Sequence, residues 1–296
     1  MSNINLNLEH LYISPLEICN LSCKLCYTQK TPNLLTFKHI KQFIEQYVKA
    51  VAIRGISLQT ITFCGGEFFL LDYATDLINW SCEQGYFVQI ITNGTVDKLS
   101  KIKYPNSVNL LVSVDGIEKW HDMNRGKGNF IKGINFIKKA QKLSFHTEVF
   151  SLVWRENFKD IGEFEKYVEK ELRDIPITYQ LRKNISFLNQ HPVTNVNNAG
   201  YEFGFLTIEQ IKWLMNNKKT FPPKDLGCYQ ISLMSNGKVY SCCEGVKPLC
   251  EMIDDKGEMI RKYLKRISAG NNLIPSHCSL VTNCAEPEFC CGLCIK

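Results

Sequence analysis

The sequence has no run of apolar residues approaching the ~18 that a membrane-spanning helix requires. Its N-terminus, Met1-Ser-Asn-Ile-Asn-Leu-Asn-Leu-Glu9, lacks the basic start and apolar core of a secretory signal. There is no block of like charges, no internal repeat and no low-complexity tract. The formal charge of +6, from 35 Lys and Arg against 29 Asp and Glu, is scattered and counts every cysteine as neutral. That scatter supplies no basic and aromatic surface for nucleic acid. With 296 residues and a 45% apolar composition, the chain can bury a substantial core. A soluble, cytoplasmic, globular protein is expected.

Cysteine is what the chain has in excess, with 14 residues. A reducing cytosol does not keep structural disulfides, so this density points to metal. The tightest group is Cys19-Asn-Leu-Ser-Cys23-Lys-Leu-Cys26. An odd number of thiols cannot pair off. Three thiolates on one short loop can instead face three corners of an iron–sulfur cube, which normally takes four cysteines, leaving one iron open. The alternative is a zinc knuckle with a distant fourth ligand.

The remaining pattern is an alternation. Strands are predicted at Leu11–Ile18, Leu58–Cys64, Tyr86–Thr92, Val108–Val114, Thr147–Val153 and Ile177–Leu181. Helices are predicted at Phe37–Ile53, Leu70–Cys82, Phe130–Leu143, Ile161–Leu172 and Thr207–Asn216. Such alternation, at roughly 25–35-residue intervals, argues for a parallel sheet with right-handed crossovers. Chemistry in such sheets sits at the carboxyl ends of the strands. Gly65-Gly66-Glu67, Asn93-Gly94 and Asp115-Gly116 each follow a predicted strand. Read locally, all three are turns before a helix. Histidines 10, 39, 121, 146, 191 and 277 show no paired metal spacing and read as surface or capping residues.

The C-x3-C-x2-C spacing of Cys19, Cys23 and Cys26 resembles the signature of the radical S-adenosylmethionine (radical SAM) enzymes. The resemblance implies an α/β fold, a partial (β/α)6 TIM-like barrel of parallel strands, with a small C-terminal Cys-rich domain containing a β-hairpin. It implies a 4Fe–4S cluster on the triplet, with SAM on the open iron. Gly65-Gly66-Glu67 resembles the family's GGE motif, which implies that this turn and Glu67 hold the SAM ammonium. Thr92, Asn93, Ser113 and Asp115 then line the SAM pocket. His121-Asp-Met-Asn-Arg125-Gly126-Lys-Gly128-Asn-Phe130 resembles a stretch common in relatives with an auxiliary-cluster domain, with Arg125 paired to a carboxylate or near the cofactor.

Nine cysteines follow Gly227. Cys228, Gly237 and Cys242 resemble the opening of SPASM and twitch domains, and Asn236-Gly237 suits a tight hairpin turn between Tyr229–Leu233 and Lys238–Tyr240. With Cys291 and Cys294, these residues are the expected ligands of an auxiliary 4Fe–4S cluster. Cys243, Cys250, Cys278, Cys284 and Cys290 would remain for a second one, while Cys64 and Cys82 read as small buried apolar residues. The expected domains are a barrel over 1–184, a linker and helix over 185–226, and the auxiliary-cluster domain over 227–296.

The resulting expectation is reductive SAM cleavage and hydrogen abstraction from a substrate C–H bond, most simply in a ribosomally made peptide. A twitch-type small-molecule dehydrogenase is the alternative enzyme, and a zinc-stabilised interaction module the alternative from another class. A reductant such as flavodoxin or ferredoxin is implied. Only about ten residues precede the first strand, so a peptide is expected to be held by the barrel mouth or by a separate recognition protein.

Overall fold

Seven strands lie side by side in chain order, each parallel to the next: β1 (His10–Ser14), β2 (Thr60–Phe63), β3 (Phe87–Thr92), β4 (Val108–Ser113), β5 (His146–Val153), β6 (Ile177–Leu181) and β7 (Thr220–Phe221). They belong to a computed structural model that describes residues 8–26, 28, 30–182, 203–221, 230–241, 243 and 248–270. Helices α1 (Phe37–Ala52), α2 (Ala74–Glu83), α3 (Glu118–Arg125), α4 (Asn129–Lys142), α5 (Ile161–Leu172) and α6 (Ile208–Asn217) fall between the strands, and α7 (Lys256–Gly270) comes last. This is the mostly parallel α/β sheet that the alternation predicts.

Side-chain alternation along the strands separates two faces. Leu11, Ile13, Ile61, Phe63, Val88, Ile90, Leu110, Val112, Val149, Tyr179 and Leu181 are buried in the main core. The opposite face mixes apolar residues with a line of polar ones. His10 on β1 bonds Thr62 on β2 at 2.7 Å, and Thr62 donates to Gln89 on β3 at 2.9 Å. Further along that face, Thr178 of β6 bonds Glu148 of β5, which also takes Lys219 Nζ at 2.7 Å. His121 is thus an interior residue and His10 a partly buried one on the sheet, rather than the surface or capping residues the sequence suggested: burial pushes both imidazoles down to about 4.

Some boundaries move for identifiable reasons. The first strand stops at Ser14 because Pro15 has no N–H for the ladder. Residues 68–70 form one turn of 3-10 helix capped by Glu67, and Leu71 is extended, so α2 begins only at Ala74. The stretch before Gly126 is the helix α3, and Asp122 within it accepts the N–H groups of Gly128 and Phe130, fixing the start of α4.

The expected hairpin forms from β8 (Ser232–Met234) and β9 (Lys238–Tyr240), antiparallel, with Gly237 at φ +77° in the turn. It continues the barrel's own sheet: β8 pairs in parallel with the outer edge of β1, and β9 carries β10 (Cys250–Glu251). Helix α7 packs on α1, where Lys256 Nζ stands 5.2 Å from the centre of the Phe43 ring. Of the residues expected as auxiliary ligands, Cys228, Cys242, Cys291 and Cys294 lie outside the described residues, as do Cys278, Cys284 and Cys290.

Candidate active site

Cys19, Cys23 and Cys26 sit on the loop between β1 and α1, at the carboxyl end of the sheet. Although the ladder stops at Pro15, the backbone stays against the exit of β2. Cys64, Gly66 and Glu67 donate their N–H groups to the carbonyls of Ile13, Leu16 and Ile18, each at 3.0 Å. This close approach accounts for both glycines. A Cβ on Gly65 would overlap the Leu16 carbonyl, and one on Gly66 would overlap the carbonyls of Glu17 and Ile18. Gly65 also has φ +130°, which side chains disfavour. In this structure the glycines therefore admit the cysteine loop.

Glu67 is fully buried, and its carboxylate is engaged by the chain itself. Oε1 accepts from Phe69 N (3.1 Å) and Thr92 Oγ1 (2.8 Å), and Oε2 from Asn93 N (2.8 Å). Burial raises its pKa, opposed by those hydrogen bonds and by Arg125. Glu67 therefore clips the end of β2 to the end of β3. Asn93 in turn reaches the loop, with Nδ2 at 3.0 Å from Asn20 Oδ1 and 3.8 Å from Cys19 Sγ.

The other side of the loop is held from β4. Asn124 on α3 accepts Lys24 N at its carbonyl (2.9 Å) and Leu25 N at Oδ1 (2.8 Å). Its own Nδ2 donates to Asp115 Oδ2 at 2.7 Å. Asp115 also takes Arg125 in a two-pronged pair and Leu152 N at 3.1 Å, while its own N–H donates to His121 Nδ1 at 3.2 Å. Burial alone would raise the Asp115 pKa, but the Arg125 charge and these bonds outweigh it and hold the carboxyl low. The carboxylate expected for Arg125 is thus Asp115, and both oxygens of that residue already have partners. Ser113 is buried just before it at the end of β4. Leu25 packs with Trp120, Leu152, Trp154 and Phe203 in a second apolar cluster, which anchors the loop between Cys23 and Cys26. Glu17 links the loop to the hairpin, accepting from Ser235 Oγ at 3.2 Å and from Thr31 Oγ1 at 2.7 Å.

Among the described residues, no three His, Cys, Asp or Glu side chains converge to hold one metal ion. A zinc knuckle draws its sulfurs to ~2.3 Å from a single ion, whereas the corners of an iron–sulfur cube stand further apart. Burial raises the Cys19 thiol and pushes Cys23 up to about 11, with Arg125 opposing at Cys23. Asn20, Thr95 and Asn124 were not singled out from the sequence. Nothing in their spacing marks them, because the side-chain bonds that tie them to the loop join positions 73 to 99 residues apart.

The sequence profile of the Radical SAM superfamily matches residues 13–168, more than half of the chain. The chain belongs to the radical SAM superfamily. The superfamily's cofactors are a 4Fe–4S cluster and SAM, and three free thiols on one short loop backed by Gly65 and Gly66 are a donor set that fits such a cluster. The subtilosin biosynthesis protein AlbA of Bacillus subtilis is 28% identical over 156 residues, covering 51% of this chain and 34% of that protein. The sporulation killing factor maturation protein SkfB of the same organism is 26% identical over 149 residues, 49% of this chain and 36% of that protein. The chain thus spans about a third of the length of these curated relatives. Among solved structures, anSMEcpe with bound AdoMet and a Cp18Cys peptide aligns with a TM-score of 0.61 at 17% identity, over 86% of this chain and 81% of that one. SuiB of Streptococcus suis bound to its precursor peptide SuiA aligns with a TM-score of 0.58 at 15% identity, over 83% of this chain and 63% of that one. At these identities the structural likeness shows the radical SAM fold. Among the described residues, no helix is long and apolar enough to cross a membrane.

Proposed function

We propose that this chain is a cytoplasmic radical SAM enzyme that abstracts hydrogen from a ribosomally made peptide. The observation that carries the reading is the cysteine loop pinned to the ends of β2, β3 and β4 by Gly66, Asn93 and Asn124. Cys19, Cys23 and Cys26 would hold the cluster. When bound and reduced, the cluster supplies the electron that splits SAM into methionine and a 5′-deoxyadenosyl radical. The chain's own contribution is geometric: Gly65 and Gly66 set the loop against β2, Glu67 joins two strand ends, and Arg125 and Asp115 fix α3 beneath the loop. Ser113 and the main chain near Gly65–Asn93 remain the proposed walls of the SAM pocket. The half-exposed polar strand face that carries Gln89 and Gln180 offers donors and acceptors to a substrate.

A peptide substrate is supported by the naming of AlbA and SkfB for bacteriocin biosynthesis and killing-factor maturation, and by the peptides bound to anSMEcpe and SuiB. Residues 227–296 are proposed as an auxiliary-cluster domain ligated by Cys228, Cys242, Cys291 and Cys294, next to a barrel over 1–184 and a linker with helix over 185–226. A flavodoxin or ferredoxin would supply electrons. A further relative, 7-carboxy-7-deazaguanine synthase of Aquifex aeolicus, is 24% identical over 169 residues and is named for a small product, so the experiment must separate the two substrate classes. Anaerobic protein, reductant and SAM should be incubated with peptides encoded beside the gene, and the peptides weighed by mass spectrometry. A SAM-dependent loss of hydrogen mass in a peptide supports the proposal. SAM cleavage stimulated only by a small molecule would overturn the peptide assignment.

A further inference from the structure

The three sulfurs of the triplet stand in different surroundings, and among the described residues that of Cys19 faces two N–H donors. Leu21 N–H points at its Sγ from 3.4 Å, and Asn93 Nδ2 lies 3.8 Å away. The orientation of the Asn93 amide is fixed by its other end. Thr95 N, which can only donate, lies 2.9 Å from Oδ1, and Thr95 Oγ1 adds a second donor at 2.6 Å. The NH2 group must therefore be the end that faces Cys19 and Asn20. Asn20 Nδ2 closes the ring by donating to Thr95 Oγ1 at 2.8 Å, and Glu67 holds the Asn93 backbone at 2.8 Å. Asn93 is 6% exposed and held at both ends of its amide, so this donor is preorganised.

We propose that Asn93 is a positioning residue that donates an N–H to the Cys19 ligand sulfur and so raises the reduction potential of the N-terminal cluster. This rests on the assignment of the triplet as cluster ligands. Reduction adds one electron to the cluster, and part of that charge falls on the cysteine sulfurs. A donor aimed at a ligand sulfur therefore stabilises the reduced form more than the oxidised one, and hydrogen bonds to sulfur are among the groups that set such potentials. Asn124, on the opposite side of the loop, bonds among the described residues backbone groups and the Asp115 carboxylate, so it holds the loop through the main chain and not through a sulfur.

The test is an EPR-monitored potentiometric titration of reconstituted full-length protein, with dithionite as reductant and iron per chain measured in parallel. The signal of the N-terminal cluster is assigned by difference from the Cys19→Ala/Cys23→Ala/Cys26→Ala protein. Asn93→Ala should shift the reduction equilibrium about tenfold toward the oxidised form, about 59 mV lower for a one-electron couple, with iron content retained. Where Asn93→Ala loses iron, Asn93→Ser keeps an oxygen for Thr95 N and should show the same downward shift. Asn124→Ala should lower iron retention and leave the potential unchanged. An unshifted potential in the Asn93 variants would overturn the inference alone. So would an equal shift in Asn124→Ala, which would trace the effect to a loosened loop. If the triple variant removes no iron, the ligand assignment itself fails and the inference falls with it.

Discussion

Arg125 Nε and Nη2 donate to the two oxygens of Asp115 at 2.6 and 3.1 Å, and the Asp115 side chain has 0% exposure. The same carboxylate accepts from Asn124 and from Leu152 N, so one anion joins β4, α3 and β5 below the cysteine loop.

Arg125→Met would leave that carboxylate buried and unpaired. Breaking one side of a buried pair costs about 3–5 kcal/mol, to be read from the urea midpoint. The Asp115→Asn/Arg125→Met double variant should recover a large part of the loss, because no buried charge is stranded. The wild-type contribution should persist on acidification until the pH falls below the ordinary carboxylate range, since the Asp115 pKa is held low. A loss below about 1 kcal/mol in Arg125→Met, the size expected of an exposed pair, would contradict this account.

Gly66→Ala should displace the cysteine loop, since the new methyl meets the Glu17 and Ile18 carbonyls. Iron bound per chain after reconstitution should fall sharply. Gly162→Ala is the control: its added methyl meets nothing within 4 Å, and Gly162 lies in α5. That change should be neutral or stabilise by up to about 1 kcal/mol through helix propensity. Normal iron loading in Gly66→Ala would mean that the loop does not need this contact.

Two imidazoles, one buried and one partly buried, predict an acid weakness. His10 and His121 have folded-state values near 4 against 6.5 for a free imidazole. Between those limits the unfolded chain binds protons that the folded chain does not, so stability falls as pH drops from 6.5 toward 4. Each contributes on the order of 3 kcal/mol across the full window. Urea midpoints from pH 7 to pH 5 should decline, and the decline should flatten in His10→Gln and His121→Asn. An unchanged slope in both variants would show that other groups carry it.

Much of the sheet was legible because its two periods are written into the chain: apolar residues alternate along the strands and recur at helical intervals between them. The cysteine triplet was legible because three thiols so close have few uses. What supports the triplet was not. Glu67 reads as a ligand group after Gly65-Gly66, and nothing local shows that its carboxylate also accepts from Phe69, Thr92 and Asn93. Asn124 lies 99 positions from the Leu25 N–H that it binds, so no local pattern connects them. The hairpin was visible in Asn236-Gly237, but its place beside β1 depends on a parallel pairing between residues about 220 apart, which turn chemistry cannot encode.

The central claim is that the Cys19, Cys23 and Cys26 loop holds the cluster that cleaves SAM. Reconstituted wild-type protein and the Cys19→Ala/Cys23→Ala/Cys26→Ala protein should be compared under dithionite with SAM, scoring 5′-deoxyadenosine and iron together. The account predicts that the triple variant loses about four irons per chain and forms no 5′-deoxyadenosine, while its circular dichroism keeps the wild-type shape. Reductive SAM cleavage persisting in the triple variant would contradict it.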